Sequence, residues 1–472
     1  MDGWPESCSL NRMSASPSRR DALRTLAGLL AVGALPRPSL TLKRRGPLAR
    51  SSDRPYLAQA QLAANWLAGV ARSSAIGTSW HWDPADPKPE VQTNVYSGTA
   101  GIVLFFVELH AATGDVAHRE LALSGADYLA STLPTAVKGD DAGLYTGLAG
   151  VAWTLAFVGR ALASERHLEA ANGAFITLAN ATTPVGTGLV WNESHDIIAG
   201  SSGIGLVMLD RHRTDGDGRA LSHAVRAGQR LLEVAVPATP GGLTWDLSPS
   251  VPRRYPNFSH GAAGVGYFLA QLFRRTNDRR FLEGSLGAAR YLEAIAERTV
   301  GDGRRIFHHT PGGESLYYLS WCHGPAGTAR FHQALAAATG NAQPRRMVEQ
   351  LAQATIDSRV PERSDGYWNN ISCCCGNCGV SDFYVAMHAE SRDPRFLAHA
   401  EVMARDTAAR GTPSLEGARW MQAENRSGPT DLRAQTGLMQ GAAGVGLSML
   451  RLDAALNGRT RVVVLPDDPW AG

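Results

Sequence analysis

The stretch GTAGIVLFFVEL, residues 98–109, joins a Gly-x-x-Gly quartet to a run of apolar residues. The same combination recurs along the chain, with quartets that begin at Gly98, Gly147, Gly200, Gly261, Gly324, Gly376 and Gly441. A unit repeated at intervals of about 50 to 65 residues indicates a repeat architecture. The almost unbroken apolar run after each quartet predicts a helix that is buried on most sides.

Amphipathic helices are predicted between the apolar ones, for example at 120–132, 219–234 and 279–297. Loops that carry Gly and Trp follow several of them, as in GLVWN from Gly188 and GLTWD from Gly242. This order predicts fourteen helices in two concentric rings, seven inner and seven outer. The chain is therefore expected to be all-α, an α/α toroid in which glycine permits close approach at the start of each inner helix.

The composition, with 44% hydrophobic and 19% charged residues, is that of an ordinary globular protein. A net charge of +3 over 472 residues, without a basic stripe, argues against a nucleic-acid partner. After residue 36, no stretch has the roughly 20 unbroken apolar residues that span a bilayer, so no transmembrane body is expected.

The N-terminal stretch SRRDALRTLAGLLAVGALP, from Ser18 to Pro36, resembles a twin-arginine export signal, although Ala22 replaces the usual bulky apolar residue. We expect a signal at 1–36, a linker at 37–54, the toroid at 55–460 and a C-terminal tail at 461–472. This division predicts an exported, periplasmic protein. The alternative is an amphipathic or disordered extension on a cytoplasmic protein.

Five of the six cysteines lie in the approaches to two quartets, SWCHGPAG with Cys322 and CCCGNCG with Cys373, Cys374, Cys375 and Cys378. Adjacent cysteines are poorly placed to bridge each other, so the clustering favours a metal over disulfides. In a closed ring the residues before the quartets converge on one mouth. A catalytic zinc needs three protein ligands and an open position.

We expect Cys322, Cys374 and Cys375 to bind Zn²⁺, because the last two directly precede Gly376 as Cys322 and His323 precede Gly324. Two alternatives remain at this stage. The cysteines are either ligands of a structural zinc that also involves Cys373 and Cys378, or buried small side chains without a metal.

The seven quartets, together with SHG at 259–261, WCHG at 321–324 and CCG at 374–376, resemble the lanthionine synthetase C-like family. The resemblance covers essentially the whole chain from about residue 55. It implies a double α-toroid around a catalytic zinc. It also implies addition of a peptide cysteine thiol to dehydroalanine or dehydrobutyrine, which closes a thioether ring.

The resemblance also implies roles for single residues. Cys322 and Cys374 match zinc cysteines, and Cys375 stands where many members have histidine, although one branch has cysteine there. His260 matches the active-site histidine and Asp196 an active-site aspartate. Tyr318 occupies a position where some cyclases have arginine.

The chemistry suits these residues. Zinc lowers the pKa of a bound thiol, and three cysteine ligands give the site a formal charge of −1, which should strengthen the nucleophile. Attack on the β-carbon leaves an enolate that must be protonated, and His260 is a plausible general acid. Asp196 is expected either to accept the thiol proton or to orient the imidazole.

Three other functions are compatible with parts of the sequence. The first is a thiol-adding or thiol-binding relative that uses glutathione and makes no rings. The second is a sugar-active toroid, which needs two facing carboxylates such as Asp196 and Asp246. The third is a peptide-binding scaffold with a structural zinc. Because no dehydratase-like segment is recognisable, the leading interpretation requires a separate dehydratase partner.

Overall fold

A computed structural model describes residues 53–307, 317–362, 367–368, 370–423, 428 and 430–470. The predicted signal, most of the predicted linker and Cys8 lie outside these residues.

The described residues form fourteen α-helices in two layers. The inner helices are α2 (Thr99–Thr113), α4 (Leu148–Ala161), α6 (Ser201–Asp215), α8 (Ala262–Thr276), α10 (Pro325–Thr339), α12 (Asn377–Ser391) and α14 (Ala442–Leu456). The outer helices are α1 (Pro55–Gly69), α3 (Val116–Ser131), α5 (Glu165–Asn180), α7 (Gly218–Glu233), α9 (Arg279–Ile295), α11 (Ala342–Asp357) and α13 (Pro394–Ala409). This arrangement confirms the predicted α/α toroid.

Every inner helix begins directly after the first glycine of a quartet, which is its N-cap residue in extended conformation. The chain before each helix curls over the helix start, so both glycines of a quartet lie against backbone. A Cβ on the second glycine would overlap the carbonyl oxygen six residues earlier in all seven repeats, as for Gly327 and Trp321. The quartet is thus a packing requirement of the loop.

A tight turn joins each inner helix to the next outer one. In the first of these turns Gly114 closes α2 in the left-handed conformation, and the Asp115 side chain accepts a hydrogen bond from the Ala117 amide at the start of α3. A left-handed residue is glycine's usual place, and aspartate is a favoured N-cap. Consecutive inner and outer helices therefore pack as antiparallel pairs.

Short two-stranded pairs follow several outer helices. The strands are β1 (Arg72–Ser74), β2 (Gly77–Ser79), β3 (Thr183–Val185), β4 (Gly188–Val190), β5 (Val236–Ala238), β6 (Gly242–Thr244), β7 (Glu297–Arg298), β8 (Arg304–Arg305), β9 (Tyr317–Tyr318), β10 (Tyr367–Trp368), β11 (Gly411–Pro413), β12 (Ala418–Trp420), β13 (Gln422–Ala423) and β14 (Leu432–Arg433). Each pair is antiparallel except β9 with β10.

A buried tryptophan fastens four of these hairpins to the outer helix before them. Its indole N–H donates to a carbonyl in the last turns of that helix at 2.7–3.0 Å. The four pairs are Trp80 with Leu67, Trp191 with Leu178, Trp245 with Leu231, and Trp420 with Thr407. The Gly and Trp loops of the sequence are therefore anchors of the outer layer.

The ring closes between its two ends. The first outer helix, α1, packs against the last inner helix, α14, and α14 also packs against α2. A buried ion pair between Arg54 and Asp453 joins the same ends. Because each outer helix otherwise pairs with the inner helix before it, α1 supplies the partner that α14 lacks.

The C-terminal segment, residues 458–470, packs against inner helices and their approaches. The amides of Val462 and Val463 donate to the Glu108 carboxylate on α2. Asp467 is fully buried and accepts hydrogen bonds from the Tyr145 hydroxyl and the Trp321 indole, at 3.1 and 3.0 Å. The segment thus contacts several inner helices and the approach that carries Cys322.

Among the helices that the structure describes, none combines the length and the apolar character needed to cross a membrane.

Candidate active site

The approaches to the seven quartets are joined by backbone hydrogen bonds into a closed ring at the mouth of the toroid. Each approach donates an N–H to a carbonyl of the next, and the seventh donates to the first, with N···O distances of 2.9–3.1 Å. The bonds run from Tyr96 to Tyr145, Tyr145 to Ile198, Ile197 to Ser259, Ser259 to Cys322, Cys322 to Cys374, Cys374 to Met439, and Met439 to Tyr96. This ring fixes which side chains become neighbours.

The three predicted ligands meet where the fifth and sixth approaches bond. The Sγ atoms of Cys322, Cys374 and Cys375 all lie within 4.8 Å of one another, and two of the separations are 3.4 and 3.3 Å. The three thiols are buried and form no disulfide. Tetrahedral zinc with Zn–S bonds of 2.3 Å needs sulfurs about 3.8 Å apart, so this set fits the ion with small adjustments.

The other two cysteines of the cluster point elsewhere. The Cys373 thiol donates to the Gly444 carbonyl and lines an interior cavity of about 40 Å³ beside Asp382 and Arg451. Its hydrogen bond with Cys378, together with burial, raises the pKa of the Cys373 thiol well above its ordinary value. Among the described cysteines, only the other three form a candidate metal cluster.

The two predicted catalytic residues are in contact with each other. His260 Nδ1 lies 2.5 Å from Asp196 Oδ2. The other carboxylate oxygen, Oδ1, accepts from the amides of Ala199 and Gly200 at 2.9 and 2.7 Å. Because the carboxylate is the acceptor, Nδ1 carries the proton and Nε2 is left to exchange protons with a substrate.

The link between His260 and the cysteines is the backbone. Ser259 donates its amide to the Cys322 carbonyl at 2.9 Å, so His260 lies in the approach next to the one that carries Cys322 and His323. The rings of His260 and His323 have centroids 5.6 Å apart, and Tyr255 lies 6.3 and 5.6 Å from them. Tyr318, the residue in place of arginine, packs on His323 at 5.5 Å.

The mouth is acidic beside Asp196. Burial and then the charge of Asp196 raise the pKa of Asp140 above its ordinary value. Burial also lowers the pKa of His195, whose Nδ1 lies 2.8 Å from the Asp246 carbonyl. The Asp246 carboxylate accepts from Arg254 Nε at 2.9 Å, whereas Asp196 contacts His260. Asp196 and Asp246 thus have separate partners.

Several residues of the site are not predicted from the sequence. Gln440, in the seventh approach, places its amide nitrogen 3.9 Å from Cys375 Sγ and 3.1 Å from the Tyr96 hydroxyl. Gln422 on β13 donates in turn to Gln440 Oε1 at 2.9 Å. The available signal was position, because Gln440 directly precedes Gly441 as Cys375 precedes Gly376.

Among solved structures, nisin cyclase shares this fold. Nisin cyclase superposes with a TM-score of 0.57 at 16% identity, over 86% of this chain and 100% of that one. An alpha-1,6-mannanase of Salegentibacter sp. and a cellobiose 2-epimerase from Spirochaeta thermophila give TM-scores of 0.46 and 0.42 at 12% and 14% identity. They cover 85% and 86% of this chain, and 99% and 97% of their own.

No curated protein sequence gives a significant match. The family model for "Lanthionine synthetase C-like protein" matches residues 89–461, which is most of the chain and includes all five site residues predicted from the sequence. The chain belongs to the lanthionine synthetase C-like protein family.

Proposed function

We propose that the protein adds a cysteine thiol to a dehydroalanine or dehydrobutyrine residue of a peptide and so closes a (methyl)lanthionine thioether ring. The observation that carries the proposal is the convergence of three buried thiols beside the Asp196–His260 pair, at one mouth. Family membership and the fold shared with nisin cyclase support a cyclase-like activity.

Cys322, Cys374 and Cys375 would hold Zn²⁺, and the ion, when bound, would keep the substrate sulfur in its nucleophilic thiolate form. The three sulfurs are the only protein ligands in this proposal, which leaves the open position that a substrate thiol requires. Cys373 lies outside this cluster and donates its thiol to the Gly444 carbonyl, so we assign it a structural role and not that of a ligand.

His260 is assigned the proton transfers. Its Nε2 receives the proton that leaves the thiol, and the same proton later passes to the α-carbon. In between, the C–S bond forms at the β-carbon while the C=C π electrons become those of an enolate. One proton leaves sulfur and one reaches carbon, so the reaction is balanced without an added acid or base.

Asp196 is a positioning residue in this scheme. Of the two roles considered from the sequence, proton acceptor and orienting group, the second fits its contacts better. Both carboxylate oxygens are already occupied, Oδ1 by two backbone amides and Oδ2 by His260. A carboxylate held in this way fixes the tautomer and the orientation of the imidazole.

Dehydration of the peptide is assigned to a separate dehydratase. The second candidate function, addition of glutathione to a dehydrated residue without ring formation, uses the same site. A dehydrated peptide with one internal cysteine, incubated with and without glutathione, separates them. Ring closure leaves the mass unchanged and protects the cysteine from alkylation, whereas glutathione addition raises the mass.

The test of the metal site is the zinc content of purified protein. We expect about one zinc per chain in the wild type, and loss of that zinc and of thiol addition in Cys374→Ala. The matched control is Cys378→Ala, which removes a buried cysteine two residues after Gly376 and should keep the metal. Equal zinc in wild type and Cys374→Ala, or full activity without zinc, would contradict the proposal.

A further inference from the structure

Gln440 occupies, in the seventh repeat, the position that Cys375 occupies in the sixth. Each is the residue directly before the first glycine of its quartet, and the Cys374 amide bonds to the Met439 carbonyl beside them. The Gln440 side chain is buried and reaches across to the neighbouring repeat, where Nε2 lies 3.9 Å from Cys375 Sγ. A primary amide is a donor at this end, and a thiolate is an acceptor.

The direction of the Gln440 amide is fixed by its neighbours. Gln422, itself buried, donates to Gln440 Oε1 at 2.9 Å and also to the Gln440 backbone carbonyl. With Oε1 used as an acceptor, the NH₂ group must face the opposite side, where one contact is the Tyr96 hydroxyl and the other is the Cys375 sulfur. The side chains of Gln422, Gln440 and Tyr96 therefore form a hydrogen-bonded group in which the Gln440 amide faces Cys375, a candidate metal ligand.

Such a donor suits a site made of three thiolates. With a divalent ion the three ligands leave a formal charge of −1, and a substrate thiolate increases it. An N–H held against one sulfur draws charge away from it and restrains its direction. Outer contacts of this kind orient ligands and tune the metal, and their loss typically lowers metal affinity about 10- to 100-fold.

We infer that Gln440 is a positioning residue of the metal centre, which holds the Cys375 sulfur through its amide N–H and is itself oriented by Gln422 and Tyr96. The inference rests on the proposed zinc site. It extends that site to the place where the two ends of the ring meet, because Gln440 and Gln422 belong to the last repeat and Tyr96 to the first.

The experiment measures Co²⁺ binding to the full chain, by competition with a chelator and by the thiolate-to-cobalt charge-transfer absorption. Gln440→Met keeps the length of the side chain and removes the donor. We expect it to lower Co²⁺ affinity about 10-fold or more and to move the band to longer wavelength, because the sulfur regains charge. Gln440→Glu should lower the affinity further, since it adds another negative charge beside the three thiolates.

Two variants complete the design. Thr146→Val changes the residue before the quartet glycine in the second repeat, and should leave both readouts unchanged. Gln422→Met should move both in the same direction as Gln440→Met but less, and it replaces that variant if Gln440→Met does not fold. If folded Gln440→Met and Gln422→Met bind Co²⁺ with unchanged affinity and show an unchanged charge-transfer band, the inference about Gln440 is overturned. The proposed metal site is not affected by that result. A wild-type chain that binds no Co²⁺ or zinc overturns the proposed metal site itself.

Discussion

At the scale of single residues, Asp196 has two structural tasks that substitutions can separate. Oδ1 holds the start of α6 through two backbone amides, while Oδ2 holds His260 Nδ1. Asparagine keeps an oxygen for the helix start but presents an NH₂ group to the imidazole. Alanine removes both contacts.

We expect Asp196→Asn to lower the rate of thiol addition about 100-fold or more, because His260 loses the acceptor that fixes its tautomer. Its zinc content and melting temperature should stay near the wild-type values. Asp196→Ala should lose the same activity and, in addition, about 1–3 kcal/mol of unfolding free energy, because two amides near the start of α6 lose their partner. Rapid thiol addition by Asp196→Asn would show that the residue serves only the helix.

The residues of the site differ in how far the sequence revealed them. Cys322, Cys374 and Cys375 were predicted, because four cysteines in six residues have few explanations in packing. Gln440 was not, because a glutamine before a glycine carries no chemical pattern of its own. Its role becomes visible only in the closed ring, which brings its side-chain amide next to Cys375.

At the scale of the element, the quartets are tested best by adding one methyl group. In Gly327→Ala the new Cβ would overlap the Trp321 carbonyl oxygen, so the backbone must shift one residue from Cys322. We expect a loss of several kcal/mol of unfolding free energy, in the range of severe core overpacking, and weakened zinc binding.

The matched control for Gly327→Ala is Gly173→Ala on α5, where a Cβ meets nothing within 4 Å. Alanine is about 1 kcal/mol better than glycine in a helix interior, so this variant should melt at a higher temperature. Thermal unfolding and zinc content of the two variants are the measurements. Equal stability for both would mean that the quartet glycines are not required by packing.

The elements themselves could be read from the sequence, because each inner helix is marked by a quartet and an apolar run of helical length. The hairpins were recognisable only as Gly and Trp loops. Their hydrogen bonds, such as Trp245 Nε1–H to the Leu231 carbonyl, join residues 14 apart and depend on how the outer helix ends. Local propensity does not encode such contacts.

At the scale of the whole molecule, the C-terminal segment makes buried contacts that its sequence does not predict. Asp467 is buried against Arg330, and it also holds the Trp321 indole next to Cys322. The sequence alone predicts only a C-terminal tail at 461–472. The contacts of this segment are with residues hundreds of positions earlier, and only the closed ring brings them within reach.

We expect Asp467→Ala to lower the unfolding free energy by about 3–5 kcal/mol, because it removes a buried charge beside Arg330 and leaves the Tyr145 hydroxyl and the Trp321 indole without their acceptor. It should also weaken zinc binding, because Trp321, which directly precedes Cys322, loses the acceptor that holds its indole. The control, Glu362→Ala, breaks an exposed ion pair with Arg359 and should change stability by less than about 0.5 kcal/mol. Chemical denaturation of the three proteins measures the differences, and similar values for both variants would exclude a supporting role for the segment.

The closed ring of backbone bonds at the mouth separates the frame from the reactive groups. Its links use only N–H and C=O groups, so in none of the seven repeats does the ring depend on the side chain directly before the quartet. These seven positions are Ser97, Thr146, Ala199, His260, His323, Cys375 and Gln440. For protein engineering, a combinatorial library confined to these seven codons would vary the side chains at the mouth while the backbone ring that positions them stays constant.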